Sequence, residues 1–304
     1  MAPMIPRHRP TARGLLLLAA LLLSGAGAGA GSVSAHPAAS AAGHGPAVPR
    51  LVFPLLGAAT FTNDFGDPRG QGRHEGIDIV APRRAPVLAA EAGTVKFWTT
   101  SWRAGCMLYL YGESGTTYYY IHLNNDLGSG NDNRGTCVPG VAYAKGLRNG
   151  ARVAAGDMIA FNGDSGDADG IHPHLHFEMR AKGQGAANPF AHLRQARRLL
   201  FAAAPGTTFT LALTGRVAGA EGEELSLQLD QVRQWPGGRR VKHDGRKVAV
   251  AVPEEATIEG ADLPLVLLDA GRTVTVWTAP AKVTAAAQRG ARGALAAERV
   301  VVKK

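Results

Sequence analysis

Short runs in which apolar residues alternate with polar or small ones make up most of the sequence from 51 to 181. In the run 95–98, for example, Val and Phe alternate with Lys and Trp. A period of two is typical of a β-strand with one buried face, because successive side chains point to opposite sides. A glycine-containing turn at 112–115 joins the runs 107–111 and 116–123, which predicts a hairpin. Helical periodicity is nearly absent, so the pattern predicts an antiparallel β-sheet.

A second set of alternating runs follows a basic, helix-like stretch at 188–200 and a short linker. Apolar residues stand at every other position at 209–213, 225–229, 248–252 and 274–276. Strands at this spacing predict a small β-barrel or sandwich. The predicted fold is therefore mostly β, with an antiparallel β-sheet domain at 51–203 and a small β domain of unknown role at 207–304.

The first fifty residues have the pattern of an export signal. Arginines at 7, 9 and 13 precede an apolar run at 15–23, and small residues follow up to Ala35. We expect a signal peptide at 1–35 and a flexible linker at 36–50. An uncleaved membrane anchor is the alternative, but the run is shorter than the ~20 residues that span a bilayer. No other segment is apolar enough to cross one. The expected location is secreted or extracytoplasmic, in the cell wall or periplasm.

The net charge indicates the class of partner, and the cysteine content predicts a disulfide. The formal net charge is +9, and loss of the three N-terminal arginines would leave +6. A basic exported protein suits an anionic wall polymer. No arginine-rich run with interleaved aromatic residues suggests a nucleic-acid partner. The chain has two cysteines, Cys106 and Cys137, and such a pair in an exported chain predicts one disulfide.

Three segments carry the histidines that suggest chemistry. The first is His-Glu-Gly-Ile-Asp at 74–78, the second Tyr-Tyr-Tyr-Ile-His-Leu at 118–123, and the third His-Pro-His-Leu-His-Phe-Glu at 172–178. In a strand, His174 and His176 share one face, because residues two apart point to the same side. His243 stands alone between two charged residues and is interpreted as a surface histidine.

Together the three segments could form a catalytic zinc site. Such a site needs three protein ligands and one open position. His74, Asp78 and one of the late histidines supply a suitable set, and the residue types alone leave open which late histidine it is. The remaining histidines could move protons or stabilise a developing oxyanion.

The order of these motifs, HxGxD, YxHL and HLHFE, resembles peptidase family M23, which contains the lysostaphin- and LytM-type peptidoglycan endopeptidases. The resemblance covers about residues 51–195. It implies that His74, Asp78 and His176 bind one Zn²⁺ and that His122 and His174 are the catalytic residues. It gives no role to His172, and Glu178 follows the motif without needing to contact the metal.

Two segments depart from the family pattern. Residues 83–87 read Arg-Arg-Ala-Pro-Val where the family often has Gly-Thr before Pro-Val, which should alter a turn rather than the metal site. An insertion-like stretch at 124–148 carries Cys137 and bears on the shape of the groove.

The resemblance implies a secreted zinc metalloendopeptidase that hydrolyses peptide bonds in peptidoglycan stems or cross-bridges. Alternatives are a catalytically inactive relative that binds cell wall or activates another hydrolase, a zinc D,D-carboxypeptidase, and a broader protease. Residues 207–304 could bind wall polymer or be structural, and we expect them to be dispensable for the chemistry.

Overall fold

The computed structural model describes residues 47–70, 72–98, 101–181, 184–260 and 268–303. The predicted signal peptide at 1–35 and most of the predicted linker at 36–50 lie outside these ranges. Strands dominate the described residues, which confirms the prediction of a mostly β, largely antiparallel fold. None of the helices described has the length and apolar character that crossing a bilayer would require.

The first half of the described chain contains eleven strands and one α-helix. They are β1 (Pro68–Arg69), β2 (Gly72–Arg73), β3 (Ile77–Val80), β4 (Pro86–Leu88), β5 (Gly93–Trp98), β6 (Cys106–Gly112), β7 (Thr116–Leu123), β8 (Arg152–Val153), β9 (Met158–Phe161), β10 (His174–Ala181), β11 (Ala186–Ala187) and α1 (Phe190–Gln195). The main sheet has the order β11-β10-β7-β6-β5-β8, and β3 also pairs with β10. The predicted hairpin is β6–β7.

Alternation along these strands gives the main sheet two different faces. Tyr118, Tyr120 and Phe177 point inward and are fully buried in the hydrophobic core. Burying a phenylalanine side chain contributes roughly 1.5–3 kcal/mol. On β10 the intervening residues, His174 and His176, point to the opposite face. One strand therefore both stabilises the core and presents polar groups outside it.

Residues 208–302 form a second sheet with its own hydrophobic core. Its elements are β12 (Thr208–Glu221), β13 (Glu224–Trp235), β14 (Arg239–Ala251), β15 (Thr257–Glu259), β16 (Thr273–Thr278), β17 (Ala281–Lys282), α2 (Ala285–Arg289) and β18 (Ala297–Val302). Leu225, Leu227 and Leu229 are buried, as their alternation predicts. The pairing of β15 with β18 is parallel. The domain boundaries at 203 and 207 and the barrel or sandwich class stay predictions.

A small apolar cluster joins the two sheets. Val241 of β14 packs with Val52, Leu56, Leu88 and Leu199. A backbone hydrogen bond of 2.8 Å from Ala58 to the carbonyl of Lys242 runs alongside it. The second sheet therefore covers apolar side chains of the first half of the chain.

Two sequence-based interpretations have clear outcomes here. Cys106 and Cys137 form the predicted disulfide, which ties the insertion-like stretch to β6. The interpretation of His243 as a surface residue is wrong, because its side chain is buried. Its flanking residues, Lys242 and Asp244, are exposed, so the strand places the histidine on the inner face.

Candidate active site

Strand pairing brings the first and third histidine motifs together. Asp78 of β3 lies directly opposite His176 of β10 in the antiparallel register. His74 precedes β3 and reaches the same place through Gly76. A Cβ atom at Gly76 would lie 2.6 Å from the carbonyl oxygen of Phe177 and 2.8 Å from Nε2 of His176. The glycine of the motif therefore permits the close approach of the two segments.

Three side-chain atoms converge at this point. Nε2 of His74 lies 2.8 Å from Nδ1 of His176 and 3.1 Å from Oδ1 of Asp78. Nδ1 of His176 lies 3.0 Å from the same carboxylate oxygen. Among the described residues these three form the group that could hold a metal ion. Bonds of 2.0–2.1 Å in a tetrahedral zinc site place ligand atoms about 3.3 Å apart, so the donor set fits zinc.

In His74 and His176, the ring nitrogen that points away from the shared point lies within hydrogen-bond distance of an acceptor. Nδ1 of His74 lies 2.9 Å from the carbonyl oxygen of Asp64, and Nε2 of His176 lies 3.1 Å from Oε1 of Glu178. In neutral rings these nitrogens would donate to the two acceptors, and the other ring nitrogens would then offer their lone pairs to a metal ion at the shared point. Metal-binding histidines are commonly fixed in this way by a carbonyl or a carboxylate.

The charges around this point favour a cation. Burial alone would raise the pKa of Asp78, but hydrogen bonds from His176 and His74 lower the pKa overall. Burial would likewise lower the pKa of His176, yet its contacts with Asp78 and Glu178 raise that pKa to about 9. The position between the two carboxylates thus stabilises positive charge. Arg69 contacts the outer oxygen of Asp78 at 3.0 Å.

His122 and His174 lie beside the candidate metal ligands. The ring centroids of His122 and His174 are 5.0 Å apart, and those of His122 and His176 are 6.0 Å apart. Nε2 of His174 lies 3.8 Å from Oδ1 of Asp78. The structure therefore brings together all five residues that the sequence singled out.

Backbone carbonyls set the orientation of both rings. Nδ1 of His122 donates to the carbonyl of Ser165 at 2.8 Å, and Nδ1 of His174 donates to that of His172 at 3.1 Å. In each neutral ring Nε2 is then the atom that can accept a proton. Burial and the neighbouring His174 lower the pKa of His122 to about 4, so His122 is neutral near pH 7.

The backbone of His122 is itself unusual, with a φ of 61°. Non-glycine residues rarely adopt this left-handed conformation, which costs of order 1–3 kcal/mol and persists only where the surroundings enforce it. Hydrogen bonds from the His122 amide to Ala104 and from its ring to Ser165 do so here.

A cleft of about 640 Å³ opens over this site. Arg69 and Arg73, in the short hairpin of β1 and β2, line one part of it, and Asp167 and Ile171 line another. His172 also lines the cleft, and its ring is exposed. That His172 has no functional role stays a prediction.

Sequence reasoning missed several residues that support the site. Asp64 and Arg69 precede the first motif, and the sequence reasoning gave neither of them a role at the site. Arg83 does more than alter a turn, since it forms ion pairs with Asp126 and Asp164. In the insertion-like stretch, Asn131 and Asn133 donate hydrogen bonds to Asp169, next to the residues that line the cleft.

Comparison with known proteins assigns a family to part of the chain. Residues 72–133 match the family model for Peptidase family M23. The chain is 29% identical over 157 residues to the L-Ala--D-Glu endopeptidase of Bacillus subtilis, a match that covers 47% of this chain and 42% of that protein. It is 30% identical over 135 residues to the DD-carboxypeptidase/endopeptidase Mpg of Neisseria meningitidis, which covers 43% of this chain and 26% of the relative. The chain thus spans less than half the length of these relatives.

Solved structures of similar sequence include two peptidases. A putative glycyl-glycine endopeptidase lytM from Ruminococcus gnavus is 25% identical, with a TM-score of 0.38 and coverage of 48% of this chain and 59% of that one. The catalytic domain of lysostaphin from Staphylococcus simulans is 24% identical, with a TM-score of 0.34 and coverage of 44% and 92%. The segment that contains His74, Asp78 and His122 matches peptidase family M23, as the sequence motifs predicted.

Proposed function

We propose that this chain is a secreted zinc-dependent endopeptidase that hydrolyses peptide bonds in peptidoglycan stems or cross-bridges. The observation that carries the proposal is the convergence of His74, Asp78 and His176 on one point, with His122 and His174 beside it. The match to peptidase family M23 and the names of the two curated relatives support the substrate class. The expected location, outside the cytoplasm, follows from the N-terminal sequence.

Each residue of the site has a distinct role in this proposal. His74 and His176 would hold Zn²⁺ through Nε2 and Nδ1, and Asp78 through Oδ1. When bound, the ion would polarise the scissile carbonyl and lower the pKa of a water molecule to about 7. His122 and His174 each present Nε2 to the cleft. Either ring can take a proton at that atom and, once protonated, donate a hydrogen bond to the developing oxyanion.

Single alanine variants separate ligands from catalysts. His74→Ala, Asp78→Ala and His176→Ala each remove one of three candidate ligands, so zinc content and activity should both collapse. His122→Ala and His174→Ala leave the ligand set in place. They should retain zinc while the rate falls by about 10²–10⁴-fold.

His172→Ala is the matched control. His172 lies just before β10 and lines the same cleft, but it is not one of the three candidate metal ligands. Zinc content should be measured by elemental analysis, and folding by circular dichroism. If folded His176→Ala retains zinc while His172→Ala or His174→Ala loses it, the ligand assignment is wrong.

Digestion of purified peptidoglycan tests the reaction. An endopeptidase should cut stems or cross-bridges, and mass spectrometry should detect the separated peptides. A D,D-carboxypeptidase is the second candidate, favoured by the name of the Neisseria relative. It would release only terminal D-Ala. A zinc-loaded protein that yields neither product would instead support the inactive, wall-binding alternative.

A further inference from the structure

Five arginines line a cleft that shares no residue with the active-site cleft. We call it the arginine cleft, and it encloses about 740 Å³. Its arginines are Arg50, Arg197, Arg198, Arg246 and Arg289. The other lining residues are Ala196 and Asp244, so one carboxylate faces five guanidinium groups. The cleft lies where the segment after α1 meets β14 and the end of α2.

The arginines are held in place without being neutralised. Across the described ranges, no carboxylate forms an ion pair within 4.0 Å of any of the five. Arg246 donates instead to the backbone carbonyls of Arg198 and Arg289. Arg50 donates through Nε to the carbonyl of Gln195 at 2.8 Å. Backbone oxygens therefore position Arg50 and Arg246 in the absence of an ion pair.

Arg197 and Arg198 also lack a carboxylate partner within 4.0 Å in the part of the chain that the structure describes. The guanidinium carbon of Arg198 lies 3.8 Å from the ring centroid of Phe53, within the range of a cation–π contact. Nε of Arg197 is buried and has no hydrogen-bond partner among the described residues. A buried donor without an acceptor costs about 1–3 kcal/mol.

Burial and mutual repulsion both act on this cluster. Burial lowers the pKa of Arg246, and the neighbouring Arg198 lowers it further. Burial also lowers the pKa of Arg198, while Asp244 opposes the shift. Like charges gathered in a concave, low-dielectric surface focus a positive potential that attracts anions.

We propose that the arginine cleft binds a phosphate group, carried either by free phosphate or by an anionic phosphodiester polymer. Guanidinium groups pair with phosphate oxygens through two parallel hydrogen bonds. Several arginines around one cavity match a multivalent oxyanion better than a single carboxylate. The site is separate from the metal centre, so phosphate binding does not depend on the proposed peptidase activity.

Calorimetric titration of the full-length protein with inorganic phosphate and with poly(glycerol phosphate) tests the proposal. In the double variant Arg50→Gln/Arg289→Gln, affinity for both probes should fall by about tenfold or more, because hydrogen bonds between charged partners are lost. Arg240→Gln/Arg272→Gln is the matched control, since it removes the same charge from two exposed arginines outside the cleft. Its affinity should stay within about twofold of the wild type.

Charge-conserving variants add a second criterion. Arg50→Lys/Arg289→Lys keeps the net charge but cannot form the paired hydrogen bonds, so it should also bind more weakly. If inorganic phosphate binds and the polymer does not, the phosphate site is supported and free phosphate is its ligand. If neither probe binds, or if binding weakens equally in the cleft and control variants, the proposal is overturned. Thermal unfolding of each variant verifies that it is folded.

Discussion

Arg83 gives a direct test of how the chain fixes its candidate catalytic histidine. Its guanidinium pairs with both oxygens of Asp164, with Nη1–Oδ1 at 2.6 Å and Nη2–Oδ2 at 2.5 Å, and it also contacts Asp126. Both carboxylates are completely buried. The residue after Asp164 is Ser165, whose carbonyl accepts the hydrogen bond from His122. The ion pair therefore anchors the segment that orients the catalytic ring.

Removal of this cation should be costly. We expect Arg83→Ala to lower the free energy of unfolding by about 3–5 kcal/mol, because two buried carboxylates lose their counter-charge. Arg83→Lys should lose roughly 1.5–3 kcal/mol, since an ammonium group cannot form the paired hydrogen bonds. Arg148→Ala removes an exposed arginine and should change the free energy by less than about 0.5 kcal/mol. Urea unfolding followed by circular dichroism measures all three.

The Arg83→Lys variant also tests whether Arg83 positions the His122 ring. It should fold and retain zinc, because the three candidate ligands are untouched. Its kcat on muropeptides should fall by about 10- to 100-fold with a smaller change in KM, since His122 loses its fixed place. A purely structural role would lower stability and leave kcat unchanged under conditions where the protein is folded. That outcome, or a loss below about 1 kcal/mol in Arg83→Ala, would refute the reasoning.

Three further predictions follow from other contacts. Glu178→Gln removes the charge that orients His176, so zinc affinity measured by chelator competition should fall by about 10–100-fold. Glu75→Gln alters an exposed partner of Arg180 and should leave zinc affinity unchanged. Cys106→Ser/Cys137→Ser removes a disulfide between residues 31 positions apart and should lower the free energy of unfolding by roughly 2–4 kcal/mol in urea titrations. Wild-type protein unfolded without reductant should show no titratable thiol. A chain truncated after Ala204 should be less stable, because Val241 no longer covers Leu56 and Leu199. It should still bind zinc and hydrolyse soluble muropeptides, because no described residue after Ala204 lines the active-site cleft. A folded, zinc-loaded truncation without activity would contradict this prediction.

Local alternation was enough to predict most of the strands and the shared face of His174 and His176. A strand has a fixed period of two, so the relative direction of nearby side chains does not depend on the rest of the fold. The approach of His74 to His176 is different, because it depends on pairing between segments about a hundred residues apart and on close contact at Gly76. The spacing of His74 and Asp78 alone could not establish it. Resemblance to a family supplied that connection.

The error at His243 has a specific physical cause. In β14, Val248 and Val250 are buried at even positions, but Val241 and His243 are buried at odd ones. The change of phase coincides with Gly245, whose φ is 78°, and with a register shift in the pairing of β13 and β14. An irregularity of this kind moves every later side chain to the opposite face. Alternation read from the C-terminal half of the strand therefore gave no indication that His243 is buried.

Net charge was informative about the class of partner but not about where such a partner would bind. At the active site two arginines are paired with carboxylates, since Arg69 faces Asp64 and Asp78, and Arg180 faces Glu178. In the arginine cleft the same residue type lacks such partners, although its members are scattered along the sequence from Arg50 to Arg289. Only the fold gathers them, so part of the positive charge of the chain is concentrated in one cleft. Binding to a concentrated cluster depends on which arginines are replaced, whereas binding to a diffuse basic surface depends only on how many are, and the matched double variants distinguish the two.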